Sequence, residues 1–561
     1  IITGSSNVFY EGKPAAMLGD TGKMCMDPAD SPVGKVIGKA MTVLVGGGAS
    51  GGGTARDSGD AAAMKAAAAA AHTWINANMP PGAEREQAHR AVCSATGHPI
   101  DVVTGKMFTR DTDLELPGRI PFQFVRNYSS ARSDVGIFGS SWRHSYDIQL
   151  IVHSDFVSYR DENGRFLEFE PVSVGETSWN NLGRLTLGRT PAGYYIQDAE
   201  GLQQFFRTIH SIKGNAAILS IEHIADRYDN RIRFEYDNQK RLCRIIDSAG
   251  RKIDLIYNEQ GFVSELRLFA PHSEKYKLIR RYFYSAQGDL IEWHDEAGHS
   301  YRFEYANHML VRETDRKGFS FYFTYNAEGW CRETWGDGGL LYRKIDYDLA
   351  KLQTRVTDSL GYTRCYKWNE MGVVNTETDH DENIWTYEYD DSLQPLRSED
   401  PEGHIWTREY DDKGRLIKEE DPEGNAIACE YDQKGRLTLY MDAAGKEWRK
   451  QYDDQHLRNT YINPLGEVTI ETLNARGDTT RIRYPDGNEA SYTYDDSGNL
   501  LTFVAQNGAT LRRQYSPEGY LLGEFDLQGQ RVRIDYDRKG DPQYIWQRGK
   551  GETKIERDPE G

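Results

Sequence analysis

Four sets of residues in this sequence have the types or spacing that chemistry would need. Ser141, His144 and Asp147 fall close together and offer a nucleophile, a base and an orienting carboxylate. Carboxylates cluster at Asp379-His380-Asp381-Glu382 and at Glu419-Glu420-Asp421, a pattern that could serve calcium ligation or acid–base pairs. Cys25 is a candidate zinc ligand. The 34 tyrosines offer rings on which a sugar could stack.

Each group also has a plainer reading. On a strand, Ser141 and Asp147 would share one face and His144 the other, and no Gly-x-Ser-x-Gly elbow surrounds the serine. The carboxylate clusters recur at turns without EF-hand or nonapeptide spacing, so solvated turns are expected there. Cys25 equally suits a small buried position in a β-prism, and His98 before Pro99 belongs to a turn. The tyrosines are expected to make cross-strand aromatic contacts, each stabilising by about 0.2–1 kcal/mol. No catalytic residue and no cofactor is therefore assigned, and this segment is expected not to be an enzyme.

The elements that would position these residues fall into zones. Residues 1–48 are Gly-rich with short apolar runs such as Met41-Thr42-Val43-Leu44-Val45, which read as short strands. Residues 49–96 hold most of a flexible Gly run and then an alanine block, Ala66 to Ala71, ending in His72-Thr73-Trp74-Ile75. That block predicts a helix stopped by Pro80-Pro81, with a second short helix around Glu84 to Val92. The helical pair is expected to pack or plug under the main body. Residues 97–225 turn to alternating β pattern, as in Phe122-Gln123-Phe124-Val125-Arg126-Asn127-Tyr128.

Residues 226–561 are repetitive. From Tyr347-Asp348, steps of 21 residues reach Trp368-Asn369, Tyr389-Asp390, Tyr410-Asp411, Tyr431-Asp432, Tyr452-Asp453, Leu473-Asn474, Tyr494-Asp495, Tyr515-Ser516 and Tyr536-Asp537. Half a period later comes a second turn signal, such as Asp400-Pro401-Glu402-Gly403 or Asp421-Pro422-Glu423-Gly424. Asp bonds the amides ahead of it, Pro presets φ and Gly accepts positive φ. Each repeat is thus two strands and two turns.

Two strands per repeat at about 4.8 Å each advance the sheet by roughly 10 Å per period. Asp226 to Arg557 spans about sixteen periods, so the strip would run on the order of 150 Å, beyond the roughly ten strands at which open sheets curl. Rolled into a loop it would be about 50 Å wide, enough to surround a compact domain of roughly 35 Å. The predicted fold is mainly β: a long antiparallel hairpin ribbon coiled into a hollow shell.

Composition narrows the function. Formal net charge is -18, without a basic stripe, which argues against nucleic-acid binding by this segment. Six scattered cysteines with no CxxC pair fit a reducing compartment of synthesis. No stretch reads as a membrane span or signal peptide, and Ile1 is read as the start of a trimmed chain.

Tyr410-Asp411-Asp412-Lys413-Gly414-Arg415-Leu416, repeated with Asp421-Pro422-Glu423-Gly424, resembles the YD repeat of Rhs proteins, also found in bacterial ABC-toxin C components and animal teneurins. Gly97-His98-Pro99-Ile100-Asp101-Val102-Val103-Thr104-Gly105-Lys106, with Asp113-Leu114-Glu115-Leu116-Pro117-Gly118 and Phe138-Gly139-Ser140-Ser141-Trp142-Arg143-His144-Ser145-Tyr146-Asp147, is similar to the opening of the Rhs core. Gly4-Ser5-Ser6-Asn7-Val8, Gly12 to Asp20 and Cys25 look like the second part of a PAAR domain. Of that family's zinc ligands only Cys25 has a match, since no His precedes His72, so zinc belongs to a complete PAAR tip.

The resemblance implies a type VI secretion effector made in the bacterial cytoplasm and delivered into competitor cells. A PAAR part would dock on the VgrG spike, and the shell would enclose a C-terminal toxin lying beyond Gly561. A chaperone and an immunity protein for the toxin are the further implied partners. The alternative is a surface adhesion or carbohydrate-binding YD-repeat protein, which the PAAR-like start argues against.

Overall fold

The computed structural model describes residues 100–557 apart from 214, 272, 538 and 539, and before them four two-residue strands between Phe9 and Lys35. Cys25, His98 and the helical connector expected within 49–96 lie outside the described residues. The described chain is almost entirely β; its helical pieces are 3-10 turns at Asp337–Gly339 and Leu349–Lys351.

A three-stranded sheet comes first: β1 (Phe108–Leu116), β2 (Phe122–Ser129) and β3 (Trp142–His144), in that order. A single antiparallel sheet of 39 strands follows, from Gln149 to Lys554, in which successive strands pair with their sequence neighbours. One further pairing forks it: β4 (Gln149–Val152) lies along the first half of β5 (Ala216–Ala225), while β6 (Arg231–Tyr236) pairs with the second half on the same side.

Both turn classes of the repeat share one geometry. Asp411 Oδ1 accepts the N–H groups of Lys413 (2.9 Å) and Arg415 (3.0 Å), and Gly414 sits at φ 70°. At the Asp-Pro-Glu-Gly turn, Asp421 Oδ1 accepts from Glu423 (3.0 Å) and Asn425 (2.8 Å), with Gly424 at φ 81°. Where glycine is missing, Glu382 and Leu393 take the left-handed position themselves, and the longer loop after Asp453 places Leu457 there one residue later.

The repeat tyrosine does something the sequence did not reveal. Its hydroxyl donates to the backbone carbonyl fifteen residues earlier: Tyr410 to Pro395 (3.0 Å), Tyr431 to Leu416 (2.9 Å), Tyr515 to Leu500 (3.0 Å), Tyr536 to Leu521 (2.9 Å). The ladder beside Tyr410 runs only over Arg397–Glu399 and Ile405–Thr407, so the phenol serves a carbonyl that ladder leaves behind. The ring is covered from the preceding Tyr-Asp turn, by Arg415 over Tyr431 at 4.8 Å and Arg436 over Tyr452 at 4.0 Å. The expected aromatic contact appears where that covering residue is aromatic, as in Phe262 with Tyr284 and Tyr520 with Tyr536.

The strip winds past itself. Asn230 Nδ2 donates to the Arg476 carbonyl (3.0 Å) across a separation of 246 residues, and Ser497 Oγ to the Ala249 carbonyl (3.3 Å) across 248. Arg251 reaches the Glu518 carbonyl across 267. In each case a turn of the Asp-Pro-Glu-Gly edge meets a turn of the Tyr-Asp edge, one circuit later. A circuit of that length holds about two dozen strands, roughly 115 Å of sheet, and so is about 35 Å across between opposing backbones. The bore is narrower than the ~50 Å inferred from sequence because the strip overlaps in a spiral instead of closing end to end.

Forcing alanine to the φ of Gly424 or Gly477 is expected to cost about 1–2 kcal/mol at each site. Gly477→Ala should do more, since its Cβ would collide with the Tyr228 ring of the preceding coil whereas Gly424 faces open space. Amide exchange should therefore quicken at both 226–230 and 474–478 in Gly477→Ala, and only near 421–425 in Gly424→Ala. Purely local effects in both variants would contradict the stacking of coils.

Candidate functional site

Ser141, His144 and Asp147 are brought near one another but committed to different partners. Ser141, buried and at φ 65°, donates its Oγ to the Arg132 carbonyl at 2.7 Å. His144 stacks on Phe124, and its Nδ1 accepts the Tyr146 N–H at 3.3 Å; burial pushes the imidazole down to about 4. Asp147 is paired by Arg143 (3.0 Å) and Arg160 (2.7 Å). The strand ends at His144, so Asp147 reaches its arginines from a turn and not from the shared strand face expected.

Asp379 and Asp421 close turns, as their periodicity suggested, whereas Glu419 and Glu420 lie on the strand Leu416–Glu420, where Glu419 pairs with Arg408. Asp379 Oδ1 accepts from the Asp381 and Asn383 amides, and Oδ2 from the Asn383 side chain. Asp379 with His380 and Asp381, and Asp400 with Glu402 and His404, bring ligand-type atoms within 4.8 Å of one another, yet both groups are largely exposed. Their carboxylates already close the turns on which they sit.

The most elaborate side-chain chemistry lies where β1–β3 pack on the ribbon. Arg126, fully buried, bonds Asp113 through Nε (2.5 Å) and Nη2 (2.9 Å), and Asp111 at 2.7 Å. Its guanidinium lies 5.0 Å from the Tyr282 ring, 5.2 Å from Trp142, 5.6 Å from Trp293 and 6.0 Å from Phe138. Tyr282 Oη also donates to Asp113 (2.9 Å), and Trp142 Nε1 donates to Tyr305 Oη (2.9 Å). Tyr128 is locked in the same way, its hydroxyl donating to the His308 carbonyl and accepting from the Leu310 N–H. The cage was missed in the sequence, although a signal existed: Phe122, Phe124, Arg126 and Tyr128 share one strand parity, and an arginine among aromatics on a buried face needs a buried acid.

β1–β3 thus cover the ribbon face that carries the repeat tyrosines. Under that cover, the position two before each tyrosine is apolar and buried at Tyr282, Phe303 and Phe323. Further along, the same position becomes Arg408, Cys429, Lys450 and Arg513. There the charges are matched on the wall itself: Arg364 with Glu377 (2.8 Å), Arg408 with Glu419 (3.0 Å), Arg513 with Glu524 (3.0 Å). Lys450 lies 4.6 Å from the Tyr461 ring. Glu471 is partly desolvated, yet donors from Thr479, Asn459 and Tyr461 hold its carboxyl below the usual range.

In Ile405–Tyr410 the tyrosine-face residues Trp406, Arg408 and Tyr410 are less exposed than Ile405, Thr407 and Glu409 between them. Packing contacts in this part of the ribbon are dominated by neighbouring strands. A face that is less exposed without a layer packed on it is the concave one, so the charge-matched wall lines the inside of the coil.

Fold and wall together define a hairpin-repeat ribbon protein. Residues 284–320, 389–426 and 431–468 match the RHS Repeat family model, and residues 97–169 match a domain of unknown function, DUF6531. It is 27% identical over 288 residues to double-stranded DNA deaminase toxin A of Burkholderia cenocepacia, covering 50% of this chain and 20% of that protein. It is 27% identical over 315 residues to the probable deoxyribonuclease RhsB of Dickeya dadantii (54% and 21%) and 25% identical over 319 residues to toxin protein Tse5 of Pseudomonas aeruginosa (49% and 24%). The chain therefore spans about a fifth to a quarter of the length of these relatives. Among solved structures, TcdB2-TccC3 without its hypervariable C-terminal region aligns at 10% identity with a TM-score of 0.39, over 78% of this chain and 38% of that one.

Arg126→Met should destabilise the β1–β3 unit by about 3–5 kcal/mol, because buried Asp113 keeps only its longer contact to Arg280 (3.3 Å) and Asp111 loses its bond to Arg126, and Arg126→Met/Asp113→Leu should recover part of the loss. Tryptophan fluorescence during thermal unfolding reads this through Trp142 and Trp293; equal losses in the single and double variants would contradict it.

Burial, reinforced by Asp111, raises the Glu313 carboxyl to about 7. The folded state then binds a proton that the unfolded state releases above about 4.5. This contribution to stability is full at low pH and declines as pH climbs toward 7, by about 3 kcal/mol in all. Glu313→Gln should flatten that decline, measured as denaturation midpoints at pH 5 and pH 8; an unchanged difference would refute the assignment.

Proposed function

We propose that this chain is the wall of a delivery shell that encloses a toxin joined on its C-terminal side. The observation that carries the reading is the overlap of coils, turn edge against turn edge, around a charge-matched concave face. A sheet wound in this way has few free strand edges at which to aggregate and surrounds a space about 35 Å across between opposing backbones, narrowed by the inward side chains. The names of the relatives, a deaminase toxin, a probable deoxyribonuclease and a toxin protein, support a toxic cargo. In this reading the catalysis those names describe belongs to cargo and the shell acts as container.

The finer reading concerns delivery. A PAAR-like segment at 1–48 docks the shell on a VgrG spike of the type VI machine, with Cys25 contributing to a zinc site in a complete tip. The effector is made in the bacterial cytoplasm and carried into target cells, and an immunity protein, with a chaperone, protects the producer.

Limited proteolysis of the full-length natural protein tests the container. A passenger fragment should survive while surface turns are cut, and should become sensitive once denaturant opens the ribbon. A passenger digested as fast as free peptide, or glycan binding with no protected fragment, would favour the adhesin reading and overturn this one.

A further inference from the structure

The loop between β1 and β2 sits where the two coils meet, and three of its residues, Pro117, Arg119 and Ile120, bond to them. On the first coil, the Ile120 N–H donates to Ser248 Oγ (3.1 Å), and that hydroxyl donates back to the Ile120 carbonyl (3.0 Å). On the next coil, Arg119 holds Asp478 through Nε (3.0 Å) and Nη2 (2.8 Å), and its Nη1 donates to the Asp496 carbonyl of the following turn (2.9 Å). Both side chains of this ion pair are about nine-tenths buried, at 8% and 10% exposure. Arg251 completes the junction: it pairs with Asp247 of its own turn and donates to the carbonyls of Pro117 in the loop and Glu518 on the next coil.

Elsewhere along this line, single bonds from Asn230 and Ser497 to opposing carbonyls join the coils. No strand ladder crosses it among the described residues, whereas every hairpin inside the ribbon is held by a ladder such as that of Thr407–Tyr410 with Leu416–Glu420. Separating the coils therefore breaks side-chain bonds alone, while unrolling either coil breaks sheet.

We propose that the loop at 117–120 is a clasp, and that the shell opens along the seam between coils when Arg119 and Arg251 release the turns at 474–519, with the ribbon on either side still folded. The value of opening to a container rests on the reading above; the clasp itself does not.

Hydrogen exchange on the full-length protein tests this. Arg119→Ala should speed exchange about tenfold or more at 247–251, 474–478 and 495–499, with the strands between 405 and 441 unchanged. Arg119→Lys, which keeps the charge but loses the fork, should fall between. Joining the coils by Ala249→Cys with Ser497→Cys, oxidised, should restore slow exchange in the Arg119→Ala background and hold any protected passenger inside. Exchange unaffected by Arg119→Ala, or rising equally through 405–441, would overturn the clasp. Seam exchange that responds as stated, with no passenger protected in any variant, would instead overturn the container and leave the clasp standing.

Discussion

One carboxylate or amide oxygen accepting two backbone N–H groups, two and four residues ahead, is the joint on which the ribbon depends. It recurs with little change at Asp237, Asp315, Asp400, Asp411, Asp432 and Asn474. A strand of five or six residues buries too little to stand alone, so each must be handed to its neighbour by a turn that costs little to form. The Asp supplies that turn locally, and its second oxygen often takes the residue that leaves it, as with Arg415 and Arg436. That arginine then covers the next tyrosine, so each hairpin is tied to the following one, and stability spreads along the strip as a sum of neighbour terms.

The curvature has an equally local origin. In most repeats the register slips by one residue just before the tyrosine, between Glu235 and Tyr236, Glu304 and Tyr305, Glu388 and Tyr389, Glu430 and Tyr431, and Gln514 and Tyr515. A bulge always on the same strand and at the same edge adds its bend and twist in one sense at every period. A strip that bends identically at each step must coil, and an offset between its two edges makes the coil a spiral. The tyrosine hydroxyl is then the device that tolerates the bulge, because it satisfies a carbonyl beyond the end of the shortened ladder.

Sequence periodicity made the repeat, the turn residues and the β class legible, because each depends on neighbours within 21 residues. The turns at Asp379, Asp400 and Asp421 were legible for the same reason, but the strand placement of Glu419 and Glu420 beside one of them was not. The role of the tyrosine hydroxyl was not, since ring identity says nothing about which backbone acceptor lies free. The Arg126 cage and the grip of Arg119 on Asp478 join parts of the chain 13 and 359 residues apart respectively. Neither belongs to a period, and only the buried parity of Arg126 hinted at either. The width of the bore was overestimated for a related reason: a repeat reveals how long the strip is, but a few non-repeating contacts decide where it overlaps.

The changing chemistry of the concave face follows from what covers it. Where β1–β3 lie on the ribbon, a mainly apolar wall holding a cluster of arginines about Trp293 and Asp113 is stable because its surface is removed from water and its charges are paired. Farther along nothing in the described chain covers the wall, and an apolar surface of that extent would bind hydrophobic segments indiscriminately. Ion pairs set across strands, with Lys450 against Tyr461 and Glu471 held by three donors, give a wall on which acids and bases are matched, although the two buried terminal nitrogens of Arg408 lack a hydrogen-bond partner. Such a surface has little free energy to gain from any one neighbour. It can therefore surround a passenger without tethering it, which leaves retention to the closure of the coils and not to adhesion on their inner side.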